Sequence, residues 1–355
     1  MRRGQINGNW LKMVSLTTVL SAGLLGSLVS EEGEDLILEH AERMNRRVEN
    51  DRVILYLVED VVWKRGDTVI SSDAATYFED DKWLRLTSNV KVTEPERIIH
   101  SDTVDYYEEN DVAIATGQVK VISDDGDQEM RTTRLVYDRT ADRMTAFNRP
   151  VVTITREEDD TADTSTLVIQ GDHLISSAGD SLFVMGNVTV DGDSLNAECD
   201  SAFYDQINDW IRMRKNPVVC VNEYTIWGDD VDMFTPDDKL ESAVVRGNAI
   251  AEGSKELKED EKITGEERYW SSADSLVLMF EEEKLKSLSA YSNARSLLER
   301  ENLERKIEKN YLTGESVVVE IKDGKAEKVT VEGSGKGVYV MPPDSAGTGA
   351  QNVRE

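Results

Sequence analysis

The stretch GQVKVISDDGDQEMRTTRLVYD, residues 117–138, decides the fold. Two phrases make it up. The first, Gly117-Gln118-Val119-Lys120-Val121, alternates apolar and polar residues after a glycine. The second, RTTRLVYD, places Leu135 and Tyr137 two and four positions after Thr133. Alternation of period two, carried by β-branched and aromatic residues, marks β-strands with one buried face.

Both phrases recur along the chain. An acidic residue with apolar residues two and four positions later appears as Asp73-Ala75-Tyr77, Asp102-Val104-Tyr106, Asp172 with Leu174, Asp200-Ala202-Tyr204, Asp230 with Phe234, Asp274-Leu276-Leu278 and Glu315-Val317-Val319. These anchors lie about 30 residues apart, or about 40 where charged stretches intervene. The glycine phrase returns as Gly186-Asn187-Val188-Thr189-Val190, Asn89-Val90-Lys91-Val92 and Gly247-Asn248-Ala249. Gly or Asn inside a strand signals a bulge or bend. A bend at the same place in every unit folds the sheet over on itself. Turns rich in Asp and Asn, such as Glu79-Asp80-Asp81, separate the strands. Two charged insertions, 254–268 and 298–310, lengthen the spacing. In the second, Leu303 and Ile307 stand at helical spacing, which reads as a short surface helix or an extended loop.

The alternation also assigns faces. Ala75, Val104, Leu135, Leu174, Ala202 and Leu276 share one face with Tyr77, Tyr106, Tyr137, Tyr204, Phe234 and Leu278. That face is either a filled core or, in part, the lining of a slot for acyl chains. The acidic anchors read as structural, each bonding a turn amide and keeping a strand start in water.

Composition narrows the function. The chain has 41 basic and 70 acidic side chains, a net charge of −29. Such a surface repels nucleic acid, whose phosphates need a basic partner. It repels anionic head groups as well, so a bound glycolipid would be held by its apolar part. Arg2, Arg3 and Lys12 precede an uncharged apolar run, residues 13–30. This segment reads as a cleaved export signal or a retained single-span anchor. Either way the remainder, residues 31–341, is exported as the β-repeat domain, with sub-repeats near 36–160 and 165–341. A disordered tail, 342–355, closes the chain. Cys199 and Cys220 are the two cysteines, and in an exported protein they are either bridged or two buried thiols. His40, His100 and His173 have no metal-ligand spacing. No nucleophile elbow, phosphate loop or zinc-protease motif occurs, so the reading is a non-enzyme without metal or cofactor.

The phrases Gly186-Asn187-Val188-Thr189-Val190 and Ser72-Asp73-Ala74-Ala75-Thr76-Tyr77, with the run 117–138, resemble the repeating unit of the OstA/LptA family. Leu38-Glu39-His40-Ala41-Glu42 resembles that family's usual entry. The next strand departs from it, with Glu59-Asp60 where Gly-Asn is typical. The resemblance spans roughly residues 36–341. It implies an all-β fold, a repeat β-jelly-roll or β-taco sandwich of about eight strand-pair units, open at both ends. It implies a periplasmic carrier of lipopolysaccharide or a related glycolipid, passing lipid A acyl chains toward the outer membrane during outer-membrane assembly. It further implies stacking on other Lpt-type β-jelly-rolls through exposed edge strands. Inner-membrane anchoring and outer-membrane association are both compatible with it. The competing expectation is a β-solenoid envelope scaffold or adhesin with no lipid ligand.

Overall fold

The computed structural model describes residues 35–340, apart from 158–163, 178–180, 193–194, 206, 237–239, 260–261, 282–283, 303–305 and 323–324. The expectations for residues 1–30, for Leu303 and for the tail lie outside the described residues. The rest forms 24 strands, and every described pairing is antiparallel. The fold is all-β. Among the described residues, the charged insertions are strands and not loops. Strands Ser242–Glu259 and Lys262–Glu281 stay paired from Ser242 opposite Met279 to Glu259 opposite Lys262. Ile307 likewise begins a strand, Ile307–Lys322, that pairs with Lys284–Asn302.

The two repeated phrases are halves of one device. Strand Arg97–Tyr107 pairs with Val112–Ser123, but the register breaks between His100 and Thr103 on one strand and Thr116 and Lys120 on the other. Gly117 and Gln118 there oppose Asp102. Gly117 takes a φ of 95°, and a Cβ on it would lie 2.1 Å from the Asp102 carboxylate, so a side chain is excluded. Asp102 accepts a hydrogen bond from the Gln118 backbone N–H at 3.0 Å. Where Asn sits in the bulge, its amide donates to the anchor instead. Asn89 reaches Asp73 at 2.6 Å, Asn187 reaches Asp172 at 2.9 Å and Asn293 reaches Asp274 at 3.0 Å. Glu59 and Asp60 adopt the same left-handed pair, with φ of 66° and 50°. The departure in sequence there is not a departure in structure.

Two expectations need correction. The anchor acids sit at mid-strand, opposite the bulge, and not at strand starts: Asp73 lies within Thr68–Phe78 and Asp102 within Arg97–Tyr107. In one unit the anchor is Asp229 and not Asp230, for Asn248 donates to Asp229 at 3.3 Å. That one-residue slip exchanges the faces. Val231 and Met233 are fully buried, while Phe234 lies on the opposite face against Trp210, ring centroids 5.3 Å apart.

The strands form two compact units. The first comprises Met1–Asp193 and Ser201–Asn208, the second Ser194–Asp200 and Asp209–Glu355. In the first unit each bulge bends its strand, so the two halves of one strand enter two layers. One layer holds 61–65, 68–72, 90–93, 97–101, 119–123 and 128–132. The other holds 54–58, 74–78, 83–87, 103–107, 112–116 and 134–138. The second unit is built on four long strands, Ser242–Glu259, Lys262–Glu281, Lys284–Asn302 and Ile307–Lys322. Its core packs Val231, Met233, Val245, Leu276, Leu278 and Val317, all fully buried.

Candidate functional site

The two layers of the first unit enclose an apolar cleft. Ile70, Val92 and Ile99 line it from one layer. Val104, Tyr106, Ala113, Ala115, Leu135 and Tyr137 line it from the other. Leu36, just before the first strand, closes part of one end. The cleft is narrow as it stands, with a cavity volume of about 40 Å³. Its walls are inward positions of the repeat, which is why one alternation builds both sides.

The rim opposite the bends is polar and crosses from layer to layer. Arg65, at the end of Arg52–Arg65, bonds the Tyr106 hydroxyl and the Asp111 carboxylate, the latter at 2.5 Å. Tyr106 in turn donates to Asp111 at 2.9 Å. Arg97 donates to Glu94 at 2.6 Å and to the Tyr137 hydroxyl at 2.7 Å, with Asp142 at 3.6 Å. Arg139 lies 3.4 Å from Glu94 and 3.5 Å from Asp111. Trp63 packs on Tyr77, centroids 5.6 Å apart. The Arg65–Tyr106, Arg97–Tyr137 and Trp63–Tyr77 contacts tie a residue of one layer to a residue of the other, while Tyr106–Asp111 and Arg97–Glu94 stay within one.

The electrostatics of the rim follow from its burial. Arg97 and Glu94 expose only 7% and 8% of their side chains, which is affordable only because they pair with each other. Burial is the largest influence on the Arg97 guanidinium and favours its neutral form, yet Glu94 and the other partners outweigh it and hold the charge. Burial, first of all, pushes the Tyr106 and Tyr137 phenols well above the usual tyrosine range, so both remain donors. Three arginines face three carboxylates, Glu94, Asp111 and Asp142. Glu108, bonded to Tyr77, and Glu96, beside Arg97, add two further acids, so the rim is not an open anion site. It can hold the two layers together or let them part.

The residues singled out from sequence divide between the units. Val104, Tyr106, Leu135 and Tyr137 line the cleft. Ala75 is buried beside them, and Tyr77 is half-buried against Trp63. Leu174 is buried in the first unit, where Ala202 and Tyr204 are half-buried. Leu276 and Leu278 are fully buried in the second unit, and Phe234 faces away from that core. Cys199 and Cys220 are not bridged. Their strands are neighbours, but Asn196 is the residue opposite Cys220, three positions from Cys199. Sequence reasoning missed the opposite wall, Ile70, Val92 and Ile99, and the three arginines. Their signal was parity. Arg97 stands in step with the buried Ile99 and Ser101, as Arg65 does with Val61 and Trp63.

The model of the OstA-like protein family matches residues 33–170. This segment is OstA-like. It contains every residue of the cleft and its rim, from Leu36 to Asp142. Among solved structures, the chain is similar to LptH of Pseudomonas aeruginosa, described as the LptA-homologous periplasmic component of the lipopolysaccharide transport device. The identity is 16% and the TM-score 0.31, over 42% of this chain and 95% of that one. No curated protein matches the chain.

Proposed function

We propose that the protein is an exported, non-enzymatic lipid carrier that takes the acyl chains of lipopolysaccharide, or a related glycolipid, into the cleft of its OstA-like segment and passes them toward the outer membrane. The observation that carries this reading is the apolar space between two layers of one unit, lined by Ile70, Val92, Ile99, Val104, Leu135 and Tyr137. Burying acyl methylenes against such walls gives about 25 cal/mol per Å² of apolar area. No contact with the charged head group is needed, which suits a chain at −29. The Arg–Tyr rungs lie where an acyl chain would enter sideways, so loading requires the rim to part.

One exposed strand in each unit supplies a stacking surface for this reading. Strand Arg43–Glu49 is exposed throughout, with Met44 and Val48 among its residues. Strand Lys336–Val340 likewise exposes Val338, Tyr339 and Val340. Each has one described partner strand, Arg52–Arg65 and Ile307–Lys322 respectively. Such edges can accept a strand of another β-jelly-roll.

The test is the lipid that co-purifies with the exported protein, identified by mass spectrometry. Tyr137→Asp should lower bound glycolipid about tenfold, since it places a charge against the apolar wall. Asp125→Ala, on a surface turn, should leave it unchanged. Equal amounts in both variants, or no lipid in the parent protein, would refute the carrier reading and favour a scaffold.

A further inference from the structure

The outer face of the first unit carries a feature that the net charge hides. On the layer whose inner side bears Ile70 and Ile99, outward positions on consecutive strands stand in register. Ser71 opposes Lys91, Lys91 opposes His100, His100 opposes Lys120, and Lys120 opposes Arg131. Three cations, Lys91, Lys120 and Arg131, and the His100 ring thus form one row across four strands, about 4.8 Å from one to the next. The row beside it, two residues along each strand, reads Val69, Thr93, Ile98 and Ile122. On a protein with 70 acidic and 41 basic side chains, this is a concentrated cationic ridge flanked by an aliphatic one.

Glu129 partly neutralises the ridge, pairing with Lys120 at 2.6 Å and with Arg131. The nearest other acids, Asp73 and Asp102, are turned to the bulges, bonded to Asn89 and to the Gln118 N–H. Some positive potential survives. After burial, Lys91 and Lys120 are what hold the His100 ring below its usual pKa.

We propose that this face docks on an anionic phospholipid surface, with Lys91, Lys120 and Arg131 toward the head groups and Val69, Ile98 and Ile122 at the interface. The face is a sheet surface whose strands already have paired backbones on both sides, so an extended peptide laid on it would find no backbone partners. A head-group array needs none. Basic side chains near an anionic leaflet each add attraction. The acidic remainder of the molecule is repelled, so the same charge distribution that weakens general binding selects this face.

The test is flotation of the full-length chain with vesicles of phosphatidylglycerol and phosphatidylcholine at roughly one to four, against phosphatidylcholine alone. Residues 13–30 can insert into either vesicle, and Arg2, Arg3 and Lys12 favour the anionic ones, so the difference between the parent and a variant of the ridge reads the docking face. Recovery should be about tenfold greater on the anionic vesicles and should fall to the neutral level in about 0.5 M salt. The triple variant K91E/K120E/R131E, checked for its β circular dichroism, should lose most of that gain. Glu129→Gln, which unmasks two cations without threatening the fold, should raise recovery. Equal recovery of parent, triple variant and Glu129→Gln on anionic vesicles would overturn the proposal.

Discussion

The two units use one bulge device to opposite ends. In the first, the bends set two short layers face to face, and the inner space is apolar with a rim of paired arginines. In the second, the strands lengthen to as many as 20 residues, and the buried ionic group lies within the long halves. Glu267 is 4% exposed and pairs there with Arg300 and, at 3.2 Å, with Lys255. Nearby, burial first of all pushes Tyr224 up to about 12, and its ring lies 5.1 Å from that of Tyr269. The difference lies in which partner is buried. In the first unit Arg97 and Glu94 are both enclosed, with Asp142 23% exposed. In the second the acid is enclosed, while Arg300 is 43% exposed and Lys255 28%.

That contrast predicts unequal costs. Arg97→Met removes the buried guanidinium and its bonds to Glu94 and Tyr137, leaving Glu94 with Arg139 at 3.4 Å, and should destabilise by about 3 kcal/mol. Arg300→Met leaves Glu267 with Lys255 and should cost about 1 kcal/mol, partner and solvent sharing the load. Urea unfolding of both variants measures this, and equal costs would erase the distinction between the units. Next in size is the bulge itself. Gly117→Val forces a side chain into the Asp102 carboxylate at a left-handed φ and should cost about 2–3 kcal/mol by the same assay.

The rim also predicts a pH dependence. The folded state holds Tyr106 and Tyr137 protonated above the range of free tyrosine, chiefly by burial. A raised folded pKa means that the folded state binds more protons in alkali. The associated stability is complete below about pH 10 and is lost as pH rises beyond it. The melting temperature should therefore fall above pH 10, and less steeply in Tyr106→Phe. The smallest effect expected is at a side-chain cap. Asn187→Ala removes the amide bond to Asp172 at 2.9 Å and should cost about 1 kcal/mol.

Much of this architecture was legible because its period is rigid. Val104, Leu135 and Tyr137 fall on the inner face by alternation alone, and the bend at Gly117 follows from a glycine inside a strand. The sequence did not disclose that anchor and bend belong to one contact. Asp102 and Gly117 meet across two strands, a distance that local pattern does not encode. The adjacent acids Asp229 and Asp230 offered two registers, and only the bond from Asn248 to Asp229 chooses between them. The rim was hidden for another reason. Arg65 and Arg97 look like surface charges until their partners Tyr106 and Tyr137 arrive about 40 residues later. What the repeat offered as a Tyr-lined wall is a wall whose outer margin is a set of ionic rungs.

Two neighbouring tyrosines give the most direct test of the carrier reading. Tyr106 points into the cleft and is 4% exposed, while Tyr107 faces the other way, stacked on Trp83. A benzoylphenylalanine crosslinker at each position, irradiated in cells, compares inner and outer faces one residue apart. Capture of glycolipid from position 106 and not from 107 is the predicted result. Equal capture at both, or none at 106 while 107 reacts, would contradict the account.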